Sequence, residues 1–135
     1  MSQENVEIVL RERARFGAGQ PLDDLVADDF VLDVSKVAEL AGLGIGPTYE
    51  GLAGWTAFIE DWTSAFDDWD DEALAVHSAG DKVVVVHRQR GRAKSSGALV
   101  DMTNGNVFTL REGLIVRLEF YRDPDDALRA AGLEP

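Results

Sequence analysis

Two histidines, no cysteine, and a few carboxylates and amides set among apolar runs limit the chemistry open to this chain. The candidates sit in three short stretches. In KVVVVHRQR, His87 and Gln89 share one side of an extended chain. In TNGNVFTL, Asn106 shares a side with Phe108 and Leu110, and in FVLDVS, Asp33 follows an apolar run. An imidazole titrates near neutrality and can give or take a proton. A carboxylate desolvated by tryptophans has a raised pKa and can abstract one. With an amide to hydrogen-bond a carbonyl, these residue types point to proton transfer. Each also has a plain structural alternative: a half-buried histidine bonded to its surroundings, a solvated strand-end aspartate, and an asparagine satisfying a backbone group after the NGN turn.

Other chemistries lack their patterns. Without cysteine there is no disulfide framework, thiolate metal site or thiol nucleophile. His77, His87 and Asp33 have no recognised metal-ligand spacing, so no metal site is expected. GLGIG does not follow a strand and open a helix, which excludes a phosphate-binding loop.

Side chains alternate along strands, so parity decides which of these groups share a face. Within the run from Val83 to Arg90, burying Arg88 and Arg90 unpaired is costly; this turns Val83, Val85, His87 and Gln89 inward. Phe108 and Leu110 select the Asn106 side of the next strand. In LIVRLEFYRD, burying Arg117 with Glu119 would bring little net gain. Leu118 and Phe120 therefore face inward and Glu119 outward. The predicted cavity carries Asp33, His87, Gln89 and Asn106 as polar groups. Trp55, Trp62, Phe108, Leu118 and Phe120 supply apolar walls, with Tyr49 and Arg122 at the rim.

Elements must hold these positions. Ser2 can cap a first helix with Glu4 in its first turn, arginines toward its end, and Val6, Val9, Leu10 and Phe16 on its apolar side. It stops at GAGQP, where Gly17 and Gly19 give turn freedom and Pro21 can open a short second helix around LDDLVADD. FVLDVS then reads as a short strand, and 36–50 as an irregular loop or lid with one short helix. Leu52, Trp55, Ile59, Trp62 and Phe66 recur at helical spacing, which predicts an amphipathic helix packed on something large and apolar. EALAVHS, DKVVVVHRQR, ALVDMTNGNVFTL and LIVRLEFYR read as four strands in an antiparallel meander. Asp123, Pro124 and Gly132 punctuate a final helix.

The 135 residues form a single domain, 1–135, of α+β class: a curved, mainly antiparallel sheet wrapped around helices in a cone with an internal pocket. A hydrophobic content of 45% with 28% charged residues is ordinary for a soluble protein. A formal net charge of −12 repels phosphate backbones and anionic lipid surfaces, so neither nucleic acid nor membrane is an expected partner. The start MSQENVEIVL lacks a basic region before a long apolar run, which makes the cytoplasm the expected location.

MSQENVEIV, YEGLAGWTAFIEDW, AGDKVVVVHRQRGR and FTLREGLIVRLEFYRDPDDALRAAGL together resemble the SnoaL-like polyketide cyclase family, especially its small bacterial members. The wider group is the fold of nuclear transport factor 2 and ketosteroid isomerase. The resemblance spans nearly the whole chain and implies a cone-shaped fold that hosts cyclases, isomerases, epoxide hydrolases, dehydratases and binding modules. It places Asp33 near the isomerases' base and Asn106 near their oxyanion-stabilising acid. Related epoxide hydrolases carry catalytic polar groups at the positions of His87 and Gln89, where the family pattern is arginine and aspartate. Two departures stand out. Glu12 occupies the place of the isomerases' tyrosine, and Phe120 the place of the essential aspartate of the cyclases and epoxide hydrolases. The expected function is binding of a small hydrophobic molecule with cofactor-free proton transfer: His87 or Asp33 as base, and Asn106 or Gln89 polarising a carbonyl. The alternative is a non-catalytic binding or dimerisation module. A homodimer is expected through the outer sheet face at Val84, Val86, Val107 and Thr109.

Overall fold

The computed structural model describes residues 2–18, 20 and 22–135. Among them the chain order is α1 (Ser2–Ala18), β1 (Val26–Asp33), α2 (Ala38–Ala41), β2 (Thr48–Glu50), α3 (Gly51–Ala65), β3 (Phe66–Ala79), β4 (Lys82–Ala93), β5 (Leu99–Arg111), β6 (Leu114–Tyr121) and α4 (Pro124–Ala130). The strands form one curved, unclosed sheet in the order β2-β1-β6-β5-β4-β3. Neighbours are antiparallel except β1 and β6, which run parallel. The α+β cone expected from the sequence is the fold observed.

α1 has Glu4 in its first turn and Arg15 in its last, the order the helix dipole favours. Its buried stripe is Ile8 and Val9, flanked by half-buried Val6 and Phe16. Leu10, expected on that side, is 44% exposed. The capping side chain of Ser2, and residues Gly19 and Pro21, lie outside the described residues. The short helix expected around LDDLVADD does not form. Residues 23–25 make a turn, and Val26 already pairs with Ile115 of β6. A non-local ladder there overrides local propensity.

α3 buries Trp55, Phe58, Trp62 and Ala65. Phe66 is not its last apolar residue but the first of β3, drawn there by pairing with Ala93 of β4. β3 is therefore longer than the stretch EALAVHS and takes in the acidic run DDWDDE. Its register against β4 breaks between Asp67 and Asp70 and again between Ala73 and Ala75. These are bulges, and each resets which side chains face the cavity.

The meander obeys the parity expected of it. Val83, Val85, His87 and Gln89 are buried on the concave face, as are Asn106, Phe108, Leu118 and Phe120. Glu119 faces the other way, among Lys36, Arg117 and Tyr121. That convex face is partly covered by the chain itself. α4 starts where the Asp123 carboxylate accepts the Asp125 amide at 2.9 Å, and its Ala127 and Leu128 pack on Val84 and Val107. Two of the four residues expected at a dimer contact are thus buried within one copy.

Gly105 lets α4 come this close. A Cβ there would lie 2.5 Å from the Ala127 Cβ and 3.2 Å from the Pro124 Cα, neither of which can swing aside. Gly105→Val should lower the unfolding free energy by about 1–3 kcal/mol through overpacking, read as a lower urea midpoint with unchanged slope.

Candidate functional site

Between α1, α3 and the concave sheet lies a cavity of about 590 Å³. α3 supplies Trp55, Phe58 and Trp62 as its roof, because residues three and four apart stack on one helix face. The floor is Gln89, Asn106, Phe108, Leu118 and Phe120, from three adjacent strands. Trp69 of β3 closes one side, its ring perpendicular to that of Trp62 at 4.7 Å between centroids. Phe120 fills the floor with apolar contact, its centroid 5.8 Å from Phe58 and 6.2 Å from Trp62.

The cavity's polar groups come mainly from residues that sequence reasoning passed over. Glu12 of α1 is 5% exposed and lines the cavity, yet its carboxyl makes no hydrogen bond or ion pair among the described residues. Burial pushes its pKa up to about 8; the Arg13 charge opposes the shift and the Asp71 charge adds to it. Arg13, its chain neighbour, turns instead to Asp71 at 2.8 Å.

Asp71 gathers the cluster. It stands opposite Gln89 in the β3–β4 ladder and so points to the concave side. Its carboxylate accepts from Arg13, from His87 Nδ1 at 3.0 Å and from Gln89 Nε2 at 3.1 Å. Burial would raise its pKa, but the hydrogen bonds and charges of His87 and Arg13 outweigh this and hold it down to about 2. A carboxylate can only accept, so Gln89 must present its NH₂ to Asp71 and its oxygen to Asn104 Nδ2 at 2.9 Å. Gln89 thus spends one amide hydrogen on Asp71, while its second makes no hydrogen bond among the described residues and the residue lines the cavity. Asn106 lines the cavity and makes no hydrogen bond through its side chain; its Oδ1 is buried without a partner.

Four expected site residues lie elsewhere. His87 is fully buried but is not among the residues lining the cavity; its Nδ1 is held by Asp71 and its Nε2 has no partner. Asp33 stands in register with Glu119 and shares its convex face. There it accepts from the Ser35 amide at 2.9 Å, the Ser35 hydroxyl at 2.6 Å and Lys36 Nζ at 3.2 Å. Burial acts to raise its pKa, and these hydrogen bonds more than reverse the effect, leaving a lowered value unsuited to a base. Tyr49 is not at a rim but in the core. Its hydroxyl donates to Asp61 at 2.6 Å and accepts the Gly46 amide at 2.7 Å. Arg122 pairs with Glu39 at 3.0 Å on the surface. Trp55, Trp62, Gln89, Asn106, Phe108, Leu118 and Phe120 do meet around one cavity.

A cone of helices in a curved sheet, enclosing one buried acid among aromatics, has the architecture of the nuclear transport factor 2-like proteins. The chain belongs to the SnoaL-like domain family, whose sequence profile matches residues 14–118. Among solved structures it is similar to a protein of unknown function with that fold from Burkholderia pseudomallei, at TM-score 0.79 and 20% identity over 96% of this chain and 97% of that one. TerC co-crystallised with polyporic acid is similar at TM-score 0.76 and 19% identity, over 96% and 98% of the two chains. A ketosteroid isomerase-like protein from Catenulispora acidiphila, solved with trimethylamine, matches at TM-score 0.71 and 19% identity, over 94% and 93%. No curated protein matches. Among the described residues no helix is long and apolar enough to cross a membrane.

The sign of Glu12's pKa shift gives a stability test. The folded chain keeps a proton that the unfolded chain releases near pH 4.5, so this group's contribution declines as pH rises from about 4.5 to about 8. Glu12→Gln should remove that decline, so that the variant gains on the wild type toward pH 8 in paired urea titrations.

Proposed function

We propose that the cavity binds a small, largely apolar carbonyl compound and that Glu12 transfers a proton on it without a cofactor, in an isomerase- or cyclase-type reaction. The observation that carries this reading is the buried, unpartnered Glu12 carboxyl on the wall of an aromatic cavity. Desolvation makes its carboxylate a stronger base than one in water, with a pKa near working pH, where a general base is most efficient. Glu12 takes the role expected of Asp33 or His87. The free amide of Asn106 supports a polarising part for that residue. The TerC and Catenulispora structures, each solved with a small molecule, support a ligand-holding use of the fold.

The probe is 2-tetralone, an apolar ketone with acidic α-hydrogens, whose exchange in D₂O is followed by NMR. The protein should accelerate exchange over buffer, and Glu12→Gln should reduce that acceleration by about 10²-fold or more. Equal rates for wild type and variant would remove Glu12 from the role. A second reading, non-catalytic binding, is favoured by Phe120 standing where the family's acid would be. It predicts that 2-tetralone binds, quenching the tryptophans around the cavity, while exchange stays at the buffer rate.

The proposal keeps a homodimer through the part of the convex face that α4 leaves uncovered, around half-buried Val86 and Thr109. Sedimentation equilibrium at micromolar concentration should give twice the chain mass, and Val86→Lys should return it to the monomer. A wild type that sediments as a monomer refutes the pairing.

A further inference from the structure

Charge around the cavity is unbalanced. Glu12, Asp70 and Asp71 line it, and among the described lining residues the one cation is Arg13, which is spent on Asp71. Asp70 is met by Arg90 at 2.6 Å. α3, β5 and β6 turn only neutral side chains to the space, and His87 of β4 stands behind Asp71. Glu12 alone is left without a counter-charge of its own. Its carboxyl oxygens keep accessible surface, whereas Trp62 Nε1 and Asn106 Oδ1 are sealed off. The rest of the wall is mainly aromatic: eight of the seventeen lining residues are Phe or Trp.

An anionic guest would worsen this imbalance, and a cation corrects it. Aromatic rings attract cations through their quadrupoles, most strongly where water is excluded. A buried carboxylate needs hydrogen-bond donors, which the chain does not give Glu12 and an ammonium does. The formal net charge of −12 acts in the same direction at longer range, drawing cations in and repelling anions.

We propose that the cavity also takes small aromatic amines, the ammonium N–H groups donating to the Glu12 carboxylate and the hydrocarbon frame lying among the rings. This goes beyond the proton-transfer reading and does not depend on it. Holding a cation asks only that Glu12 ionise, not that it attack a C–H bond. No bond to carbon forms or breaks. With no counter-charge Glu12 keeps its proton up to about pH 8, so the arriving ammonium displaces that proton to solvent. The two readings share the placement of Glu12, and an amine seated there shuts out a carbonyl guest.

The test uses the whole chain with 2-aminotetralin and 2-methyltetralin, which differ by an ammonium in place of a methyl group. In fluorescence titrations at pH 7 the amine should bind about tenfold tighter than the hydrocarbon. Glu12→Gln should abolish that preference while still binding 2-methyltetralin. Calorimetry of the wild type in two buffers of different ionisation enthalpy should show about one proton released per amine bound, and none for the hydrocarbon. Amine affinity should accordingly rise from about pH 6 and level off above about pH 8. Absent, equal or weaker binding of the amine overturns the inference, as does amine binding without proton release. So does a preference that survives Glu12→Gln, which puts the cation beside Asp70 or on the rings alone. Exchange of 2-tetralone keeps the two readings apart. Accelerated exchange that 2-aminotetralin fails to inhibit counts against the amine site and leaves Glu12 as base. Proton-linked amine binding with exchange at the buffer rate supports the amine site and sinks the proton-transfer reading.

Discussion

The Asp71 carboxylate is the point on which the interior depends. It takes hydrogen bonds from Arg13 on α1 and from His87 and Gln89 on β4, and so ties a helix to the sheet at one edge of the cavity. Because it can only accept, it also fixes direction. His87 must offer Nδ1–H, Gln89 must offer its NH₂, and Asn104 must then donate to the Gln89 oxygen. A single charge thus orders several neutral groups whose orientations would otherwise be degenerate. Because the acceptor is ionised, all three bonds belong to the stronger, charge-assisted class.

That arrangement also explains why Glu12 is alone. Arg11 and Arg13 flank it in sequence, but Arg11 is exposed and Arg13 is already committed to Asp71. A second carboxylate near an occupied guanidinium gains little attraction and loses its hydration, so it holds its proton. The cavity wall thus carries one ionised acid held by hydrogen bonds and one buried acid that keeps its proton.

Much of the fold was legible because it follows from local pattern. The heptad-like recurrence in α3 and the parity of β4, β5 and β6 are set by side-chain sequence alone, and they put Trp62, Gln89, Asn106 and Phe120 on the right surface. What escaped was decided at a distance. Asp33 follows an apolar run that suggested an inward face, but the parallel pairing of β1 with β6 sets it beside Glu119. Asp71 lay hidden in DDWDDE, since two bulges erase the alternation that would have exposed it. Glu12 carried a usable signal: it is three residues from Val9 and four from both Ile8 and Phe16, on the stripe that packs inward. Leu10, expected on that stripe, is exposed, and Glu12 is buried on it instead.

Phe120 and Glu12 are best understood as a pair. An aspartate at position 120 would add an acid to the floor of a cavity that Glu12, Asp70 and Asp71 already border. Two carboxyls in so apolar a space cannot both ionise cheaply, and each would raise the other's pKa. An aromatic at 120 removes that conflict and adds edge-on contacts to Phe58 and Trp62. The β6 part of the floor is thus wholly apolar, through Leu118 and Phe120, and the buried acid is carried by α1.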